Sequence, residues 1–167
     1  MEITELKLTT MPRIGDKAPE FKAVTTQGDI HFPNDYKGDW VILFSHPADF
    51  TPVCTSEFMT FATLEAKFLK ANCKLVGLSI DGLYCHIAWL RSIKEKIEYR
   101  GMKNVEVKFP LIEDITMNVA KKYGMTPFDA VVTPAQGGSL RLFLSKTRIL
   151  SSKSHKLLLI LPISIKK

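Results

Sequence analysis

A threonine, a proline and a cysteine stand together in the stretch Thr51-Pro52-Val53-Cys54. Threonine is favoured at the N-cap of a helix and proline at the first helical position, so Cys54 is predicted to lie in the first helical turn. Unpaired backbone N–H groups and the positive end of the helix dipole favour a thiolate over a thiol there. Because Thr51 and Cys54 are three residues apart, the hydroxyl and the sulfur are expected to face the same way. The stretch therefore predicts an activated sulfur nucleophile.

The elements before this stretch would present the sulfur at the end of a strand. Residues 40–44 form an apolar run, WVILF, which is typical of a buried central strand. A short irregular loop that contains Pro47 separates this run from the predicted helix. The alternative for Cys54 is structural, because free cysteine is among the most buried residue types and often serves as a small core hydrophobe.

Strands and helices alternate along the chain beyond this point, which indicates an α/β layer fold. Residues 21–25 and 30–32 flank Gln27-Gly28 and predict a hairpin. Apolar residues at helical spacing predict helices that follow Cys54 as far as Asn72, run over residues 83–97 along Leu83, Ile87, Leu90, Ile93 and Ile97, and span residues 117–123. Residues 74–80 and 109–112 read as two further strands.

Length and composition fit one ordinary domain of a cytoplasmic protein. The chain has 167 residues, 46% of them hydrophobic and 24% charged. Three cysteines are few and odd in number, which argues against a disulfide framework. Their number favours a reducing compartment. The N-terminal sequence MEITELKLTT has no apolar core, so we expect no signal peptide, and no apolar run is long enough to span a bilayer.

The basic charge of the chain is confined to its C-terminal end. Residues 142–167 contain no acid and carry the whole net charge of +6, so residues 1–141 sum to zero. The six basic residues there are Lys146, Arg148, Lys153, Lys156, Lys166 and Lys167. Because the body of the chain has no basic patch, we expect no nucleic-acid partner.

Pro47, Thr51 and Cys54 form the pattern P-x-x-x-T-x-x-C, and the surrounding FSHPADFTPVCTSEF closely resembles the peroxiredoxin family. In detail the stretch resembles the one-Cys (peroxiredoxin-6-like) and archaeal branch. The segments LSIDG, HIAWL, FPLIED and NVAKKYGM resemble the family in the same order, so the resemblance covers residues 13 to about 141. It implies a thioredoxin-like three-layer α/β/α domain with a central mixed sheet.

The resemblance also implies an activity, namely thiol-dependent reduction of hydrogen peroxide and organic hydroperoxides. Cys54 would be the peroxidatic cysteine, which passes from thiolate to sulfenic acid. Thr51 and the backbone N–H groups of Val53 and Cys54 would hydrogen-bond the peroxide, and Pro47 would shield the sulfur from water.

Three further residues match positions of the family's site. Arg141 matches the active-site arginine, and Glu57, one turn after Cys54, matches an acid that orients it. His46 would line the pocket. The alternatives are a surface arginine in the tail for Arg141, a solvated first-turn carboxylate for Glu57, and a strand-end histidine bonded to backbone for His46.

By the same resemblance we expect an external thiol reductant, thioredoxin-like or glutathione-like, and a homodimer or larger homo-oligomer. We expect no cofactor and no metal. Cys73 and Cys85 match nothing that a one-Cys enzyme needs, so we interpret both as structural. No C-x-x-C pair occurs in the chain, which argues against thioredoxin-type disulfide exchange.

The resemblance ends after Arg141, which divides the chain into a thioredoxin-like domain, residues 1–141, and an atypical basic and apolar tail, residues 142–167. We hypothesise that one nucleotide was lost from the coding sequence just after Arg141. In the shifted frame Leu142–Ile149 can be decoded as Ala-Val-Phe-Ile-Lys-Asp-Pro-Asp, the segment that the family places there. The expected consequence is that the last native strands and the closing helix are lost or altered.

Such a loss would expose apolar area on the central strand at roughly 25 cal/mol per Å², against a net stability of about 5–15 kcal/mol. The apolar run at residues 157–161 could replace a strand or promote aggregation. The alternative function is therefore a non-catalytic product that acts as a structural or chaperone-like oligomer subunit.

Overall fold

The computed structural model describes residue 12, residues 16–125, and the backbone of three C-terminal strands. The strands are β1 (Phe21–Thr25), β2 (Gly28–Phe32), β3 (Trp40–Ser45), β4 (Cys73–Ser79), β5 (Leu111–Glu113), β6 (Arg141–Leu144), β7 (Leu157–Leu159) and β8 (Leu161–Pro162). The helices are α1 (Pro52–Lys70), α2 (Leu83–Lys96) and α3 (Asn118–Lys122), with a short 3-10 helix at Asn34–Tyr36.

The strands form one mixed sheet in the order β2-β1-β5-β4-β3-β6-β7, and β8 also pairs with β3. Strands β3, β4 and β5 run parallel to one another, whereas β1 pairs antiparallel with β2 and β5, and β6 and β8 pair antiparallel with β3. Parallel strands joined by helices give the α/β architecture that the alternating pattern predicted. The carboxyl ends of β3, β4 and β5 therefore meet at one edge of the sheet.

Two apolar cores cover the two faces of the sheet, and β3 contributes to both. Val41 and Leu43 point into the core that includes α3, whereas Ile42 and Phe44 point into the core that includes α1 and α2. This alternation follows from the period of two along a strand. A continuous apolar run is thus a buried central strand with helices on both faces, which confirms the predicted three-layer fold.

Helix α1 begins and ends where the sequence predicted. Thr51 holds the N-cap position with extended backbone angles, and Pro52 is the first helical residue. After Lys70 the chain leaves the helix, and Asn72 adopts a left-handed conformation with φ of 52°. Asparagine tolerates this conformation better than most residues, which explains why it ends the segment. The helix is thereby fixed directly above β3 and β4.

Helix α2 buries much of the predicted apolar face, since Leu90, Ile93 and Ile97 pack in the core, but it exposes Ile87. Its buried residues are His86, Trp89 and Ile93, whereas Ile87 is 46% exposed. The apolar count at helical spacing placed Ile87 inside because it weighed isoleucine above histidine. The structure instead turns His86 inward, where its two ring nitrogens find acceptors. A polar side chain is buried here because its hydrogen bonds are made.

The free edge of β3 is paired by strands that the C-terminal segment supplies. Residues 141–144 and 161–162 pair with β3, and β7 adds parallel to β6. The sequence predicts that the last native strands are lost or altered, and that the run at residues 157–161 either replaces a strand or promotes aggregation. The structure has strands in that position, and the run supplies Leu157–Leu159 and the first residue of β8, Leu161. Within the part of the chain that the structure describes, no helix is long and apolar enough to cross a membrane.

Candidate functional site

Cys54 lies in the first turn of α1, as predicted, and is 4% exposed. Its side chain belongs to the core on the α1 and α2 face, which also contains Phe44 and Phe58. The sulfur is therefore buried, as the structural alternative expects, and it also sits at the helix N-terminus, where the sequence placed a nucleophile. The first turn of a helix offers backbone N–H groups and a positive partial charge, which stabilise an anionic sulfur.

The hydroxyl of Thr51 does not cap the helix. It donates instead to the carbonyl of Ala48 at 2.9 Å, which closes the loop before α1. The Thr51 carbonyl accepts from the N–H of Thr55 at 2.9 Å and from its hydroxyl at 2.7 Å. Since its own hydrogen is used on Ala48, the Thr51 hydroxyl in this conformation offers a ligand only its lone pairs.

A buried hydrogen bond ties α1 to α2 beside Cys54. The indole N–H of Trp89 donates to the hydroxyl oxygen of Thr55 at 3.1 Å, and Trp89 is fully buried. Thr55 directly follows Cys54 in the chain, so this bond fixes the turn that carries the sulfur. Trp89 falls within the helix predicted over residues 83–97, but its contact with Thr55 could not be predicted, because only tertiary packing brings the two helices together.

The loop between β3 and α1 is anchored by a carboxylate between two histidines. Asp49 Oδ1 lies 2.8 Å from His46 Nε2, and Asp49 Oδ2 lies 2.7 Å from His86 Nδ1. The other ring nitrogen of His86, Nε2, lies 3.1 Å from the carbonyl oxygen of Ile112 on β5. All three side chains are at most 1% exposed. We name this His46–Asp49–His86 group the His–Asp–His cluster.

Neither Asp49 nor His86 was singled out from the sequence. An acid three residues after His46 was the only local signal, and His86 lies far along the chain. His46 follows β3, and its ring centroid lies 5.0 Å from that of Trp89 and 4.9 Å from that of Phe58. That it lines a peroxide pocket stays a prediction. The alternative for His46 is a ring bonded to backbone, but its ring bonds the carboxylate of Asp49. The histidine whose ring bonds a backbone carbonyl is His86, at Ile112.

Burial alone raises the pKa of Asp49, but hydrogen bonds from His46 and His86, and their charge, lower it below the usual value. The backbone N–H of Asp49 also donates to Asp81 Oδ2 at 2.9 Å, and Asp81 accepts from the hydroxyl of Ser79 at 2.9 Å. The loop is therefore held from β4 as well. Ligand atoms of His46, Asp49 and Asp81 lie within 4.8 Å of one another, but a cation there would have to displace histidine from Asp49.

The other two cysteines are held in their neutral forms. Burial, together with the negative charges of Asp49 and Asp81 and a hydrogen bond to Asp49, raises the pKa of Cys85 to about 11. Burial, with the nearby charge of Asp39, raises the pKa of Cys73. Both thiols are therefore poor nucleophiles at neutral pH, which supports their interpretation as structural residues.

Val53, Pro47 and Glu57 are near Cys54 in the chain, and the structure gives the burial of each. Val53 precedes it with a side chain that is 65% exposed, and Pro47 is half-buried in the loop before α1. Both carboxylate oxygens of Glu57 are buried. Because a buried carboxylate must be paired with a cation or hydrogen-bond donors, this burial disfavours the solvated alternative. It suits a residue that orients a guanidinium.

The backbone of Arg141 lies beside the site. Strand β6 pairs antiparallel with β3, and the register places Arg141 opposite Ser45, the residue before His46. The side chain of Arg141 lies outside the described part of the structure. Opposed residues in such a ladder have Cα atoms only about 4.5–5.5 Å apart, so the pairing brings Arg141 to the edge of the sheet where the loop to α1 begins.

Comparison with known proteins shows what this chain is similar to. The sequence profile of the AhpC/TSA family matches residues 14–142. A peroxiredoxin of Methanosarcina mazei is 67% identical over 125 residues, which cover 75% of this chain and 57% of that protein. A peroxiredoxin of Aquifex aeolicus is 52% identical over 120 residues, which cover 72% of this chain and 51% of that protein. The chain thus spans little more than half the length of these relatives.

Two solved structures share the fold. Yeast mitochondrial 1-Cys peroxiredoxin superposes with a TM-score of 0.62 and 46% identity, covering 70% of this chain and 52% of that one. The C45S mutant of peroxiredoxin 6 from Arenicola marina superposes with a TM-score of 0.64 and 33% identity, covering 77% and 56%. These are a 1-Cys peroxiredoxin and a peroxiredoxin 6, the branch that the motif around residue 54 resembles.

Proposed function

Since this chain belongs to the AhpC/TSA family, we propose that it is a thiol-dependent peroxidase that reduces hydrogen peroxide and organic hydroperoxides at Cys54. The observation that carries the proposal is the position of Cys54, in the first turn of α1 directly after Thr51 and Pro52. A sulfur there is both shielded by a core and stabilised as an anion. Such a site supports a nucleophile that must meet a small polar substrate at neutral pH.

The reaction that this site supports is a displacement at oxygen. The thiolate of Cys54 attacks one oxygen of the peroxide, the S–O bond forms, and the O–O bond breaks. The sulfur is oxidised to sulfenic acid, and the leaving oxygen takes the electron pair and a proton as water or an alcohol. An external thiol then condenses with the sulfenic acid to a mixed disulfide and releases water, and a second thiol restores Cys54.

Each residue around the sulfur has a role in this proposal. The backbone N–H groups of Val53 and Cys54 donate to the peroxide, and the Thr51 hydroxyl accepts from it, since its hydrogen is used on Ala48. Pro47 limits access of water. Arg141 supplies a guanidinium that holds the thiolate and polarises the O–O bond, and the buried carboxylate of Glu57 orients it.

His46 completes the pocket wall at the end of β3. Its imidazole is buried and held by Asp49 at 2.8 Å, so the ring has a fixed orientation. Packing on Trp89 and Phe58 excludes water behind it. A rigid wall of this kind supports exclusion of solvent from a reaction in which charge moves between two oxygens.

We extend the proposal to partners and location. The reductant is an external thiol, either a thioredoxin-like protein or a glutathione-like small thiol, and the protein works in the cytoplasm as a homodimer or larger homo-oligomer. The yeast mitochondrial relative uses glutathione and thioredoxin systems for thiol resolution. For this chain, the raised pKa values of Cys73 and Cys85 support an external resolving thiol.

The division of the chain belongs to the same proposal. Residues 1–141 form the thioredoxin-like domain, and residues 142–167 are an atypical tail that joins its sheet. The family profile ends at residue 142, directly after Arg141, which supports the hypothesis of a nucleotide lost at that point. Sequencing of the coding DNA tests it, since an inserted base must restore an Arg-Ala-Val-Phe-Ile frame.

The test of the activity is intact-mass analysis after one equivalent of hydrogen peroxide. We expect sulfenic acid on Cys54 in the parent protein, formed faster than on free cysteine, and none on Cys54→Ser. The matched controls Cys73→Ser and Cys85→Ser should react as the parent does. A folded protein whose Cys54 reacts no faster than free cysteine would contradict the proposal and favour a non-catalytic role.

A further inference from the structure

The His–Asp–His cluster has more acceptors than neutral histidines could satisfy. The carbonyl of Ile112 can only accept, so His86 Nε2, at 3.1 Å, must carry a hydrogen. The other nitrogen of a neutral imidazole is then a bare lone pair. His86 Nδ1 nevertheless lies 2.7 Å from Asp49 Oδ2. Two lone pairs cannot face each other at this distance, so a further proton lies between the two atoms.

We propose that His86 is a buried imidazolium paired with the Asp49 carboxylate, and that the pair positions the loop of the peroxide site and fixes the tautomer of His46. With His46 neutral, the His–Asp–His cluster carries no net charge. It holds one proton more than a carboxylate with two neutral imidazoles would hold. The positioning role rests on the proposed peroxidase function, whereas the protonation state does not.

The proton belongs to His86 because its surroundings favour the ionised carboxylate. Asp49 accepts from His46 as well as from His86, at 2.8 and 2.7 Å, and several donors to one carboxylate stabilise its charged form. The lowered pKa of Asp49 agrees with this assignment. Among the described residues, Asp81 is a further charged group against the loop, and it accepts from the Asp49 backbone N–H. Cys85 also bonds to Asp49 and stays a neutral thiol.

The arrangement fixes the chemical character of His46. Its Nε2 faces an ionised carboxylate at 2.8 Å, so the hydrogen of a neutral ring lies on Nε2. His46 Nδ1 is then an unprotonated acceptor, and it is buried with no hydrogen-bond partner among the described residues. Asp49 thereby sets which nitrogen of His46 can accept a proton. Two elements beyond the loop, α2 through His86 and β5 through Ile112, hold that assignment in place.

The proton state is tested by nitrogen-15 NMR of the imidazole side chains in the full chain at neutral pH. The four histidines are His31, His46, His86 and His155, and single substitutions assign their signals. We expect both ring nitrogens of His86 to bear slowly exchanging protons, and His46 to bear one, on Nε2. A His86 ring with a single proton, or a His46 ring protonated on Nδ1, would overturn the assignment.

The Asp49→Asn variant separates the proton from the hydrogen bonds. Asparagine can accept from His46 through its oxygen and donate to His86 Nδ1 through its nitrogen. All three hydrogen bonds of the His–Asp–His cluster therefore persist, while His86 carries one proton fewer. We expect the Nδ1 proton of His86 to disappear and the Nε2 proton to remain. Asp29→Asn, an exposed aspartate on β2, is the matched control and should leave the spectrum of His86 unchanged.

The positioning role is tested by the rate constant for oxidation of Cys54 by hydrogen peroxide. We expect Asp49→Asn to lower it by about ten- to a hundredfold, the size of effect that small displacements of reacting groups produce, and Asp29→Asn to leave it unchanged. If Asp49→Asn fails to fold, His86→Gln takes its place. A variant rate equal to that of the parent would refute the role in positioning.

The two proposals fail in different ways. A parent protein that does not reduce peroxide, but shows a doubly protonated His86, loses the proposed activity and keeps the buried imidazolium. A parent that reduces peroxide with a singly protonated His86 keeps the activity and loses the inference.

Discussion

Arg141 and Ser45 lie opposite each other in the antiparallel ladder between β6 and β3. Ser45 is the last residue of β3, and His46 and Pro47 follow it in the loop to α1. The resemblance to peroxiredoxins placed an arginine at the site from sequence order alone. The ladder supplies the physical means, because backbone pairing brings a residue far along the chain to within one strand spacing of that loop.

We predict that Arg141→Gln lowers the rate constant of Cys54 with hydrogen peroxide by about a hundred- to a thousandfold, the typical loss when a charge-stabilising donor is removed. Arg141→Lys should recover part of the loss, since it keeps the charge without the planar fork. Stopped-flow competition with a reference peroxidase measures both. Equal rates for the parent and Arg141→Gln would show that this arginine lies away from the sulfur.

The fold could be predicted from the sequence wherever a local pattern decides it. The apolar run at residues 40–44 became β3, and Thr51 with Pro52 began α1, because these signals act between neighbouring residues. The cysteine motif placed Cys54 in the first turn of α1 in the same way. Asp49, His86 and Trp89 were missed as site residues because their roles depend on α2 packing against the loop, which no local pattern encodes. His86 even opposed the pattern, as a polar residue on the buried face of a helix.

We predict that alkylation will separate the three cysteines by pH. Iodoacetamide at neutral pH should label Cys54 and leave Cys85 unlabelled, because the pKa of Cys85 is raised to about 11 and its reactive thiolate forms only as the pH approaches that value. The raised pKa of Cys73 predicts slow labelling there too. Peptide mass spectrometry over a range of pH gives the three rates. Labelling of Cys85 ahead of Cys54 at neutral pH would contradict the assignment of the nucleophile.

We predict that Gly77→Ala destabilises the protein by about 1–3 kcal/mol, the usual cost of overpacking a core. A methyl group on Gly77 would lie 2.9 Å from Cδ1 of Leu111 and 3.3 Å from the rings of Phe44 and Phe58. Urea denaturation followed by circular dichroism measures the loss. The comparison is Gly82→Ala at the N-cap of α2, where the nearest atom would be Ile115 Cδ1 at 3.5 Å, an ordinary contact, so that only the smaller loss of N-cap preference is expected. Equal free energies of unfolding for the parent and Gly77→Ala would mean that α1 and β5 shift to accommodate the added methyl group without a loss of stability.

We predict that Asp49→Asn destabilises the protein by about 1–3 kcal/mol at neutral pH, the range for a hydrogen bond to a charged group. The loss should shrink once the pH falls below the pKa of an unfolded aspartate. The folded pKa of Asp49 is lowered by His46 and His86 despite its burial, whereas an unfolded aspartate titrates near about 3.9. A lowered folded pKa stabilises the native state above the unfolded value, and that contribution is lost as the pH falls through the folded value.

Urea denaturation of the parent and Asp49→Asn at several pH values from about 7 down to about 3 checks this expectation against the unfolded reference value. Asp29→Asn is the control, because the side chain of Asp29 is exposed on β2 and its removal should leave the pH dependence of stability unchanged. A loss that stays constant or grows as the pH falls below the pKa of an unfolded aspartate would contradict the lowered pKa of Asp49 and its pairing, as a carboxylate, with His86.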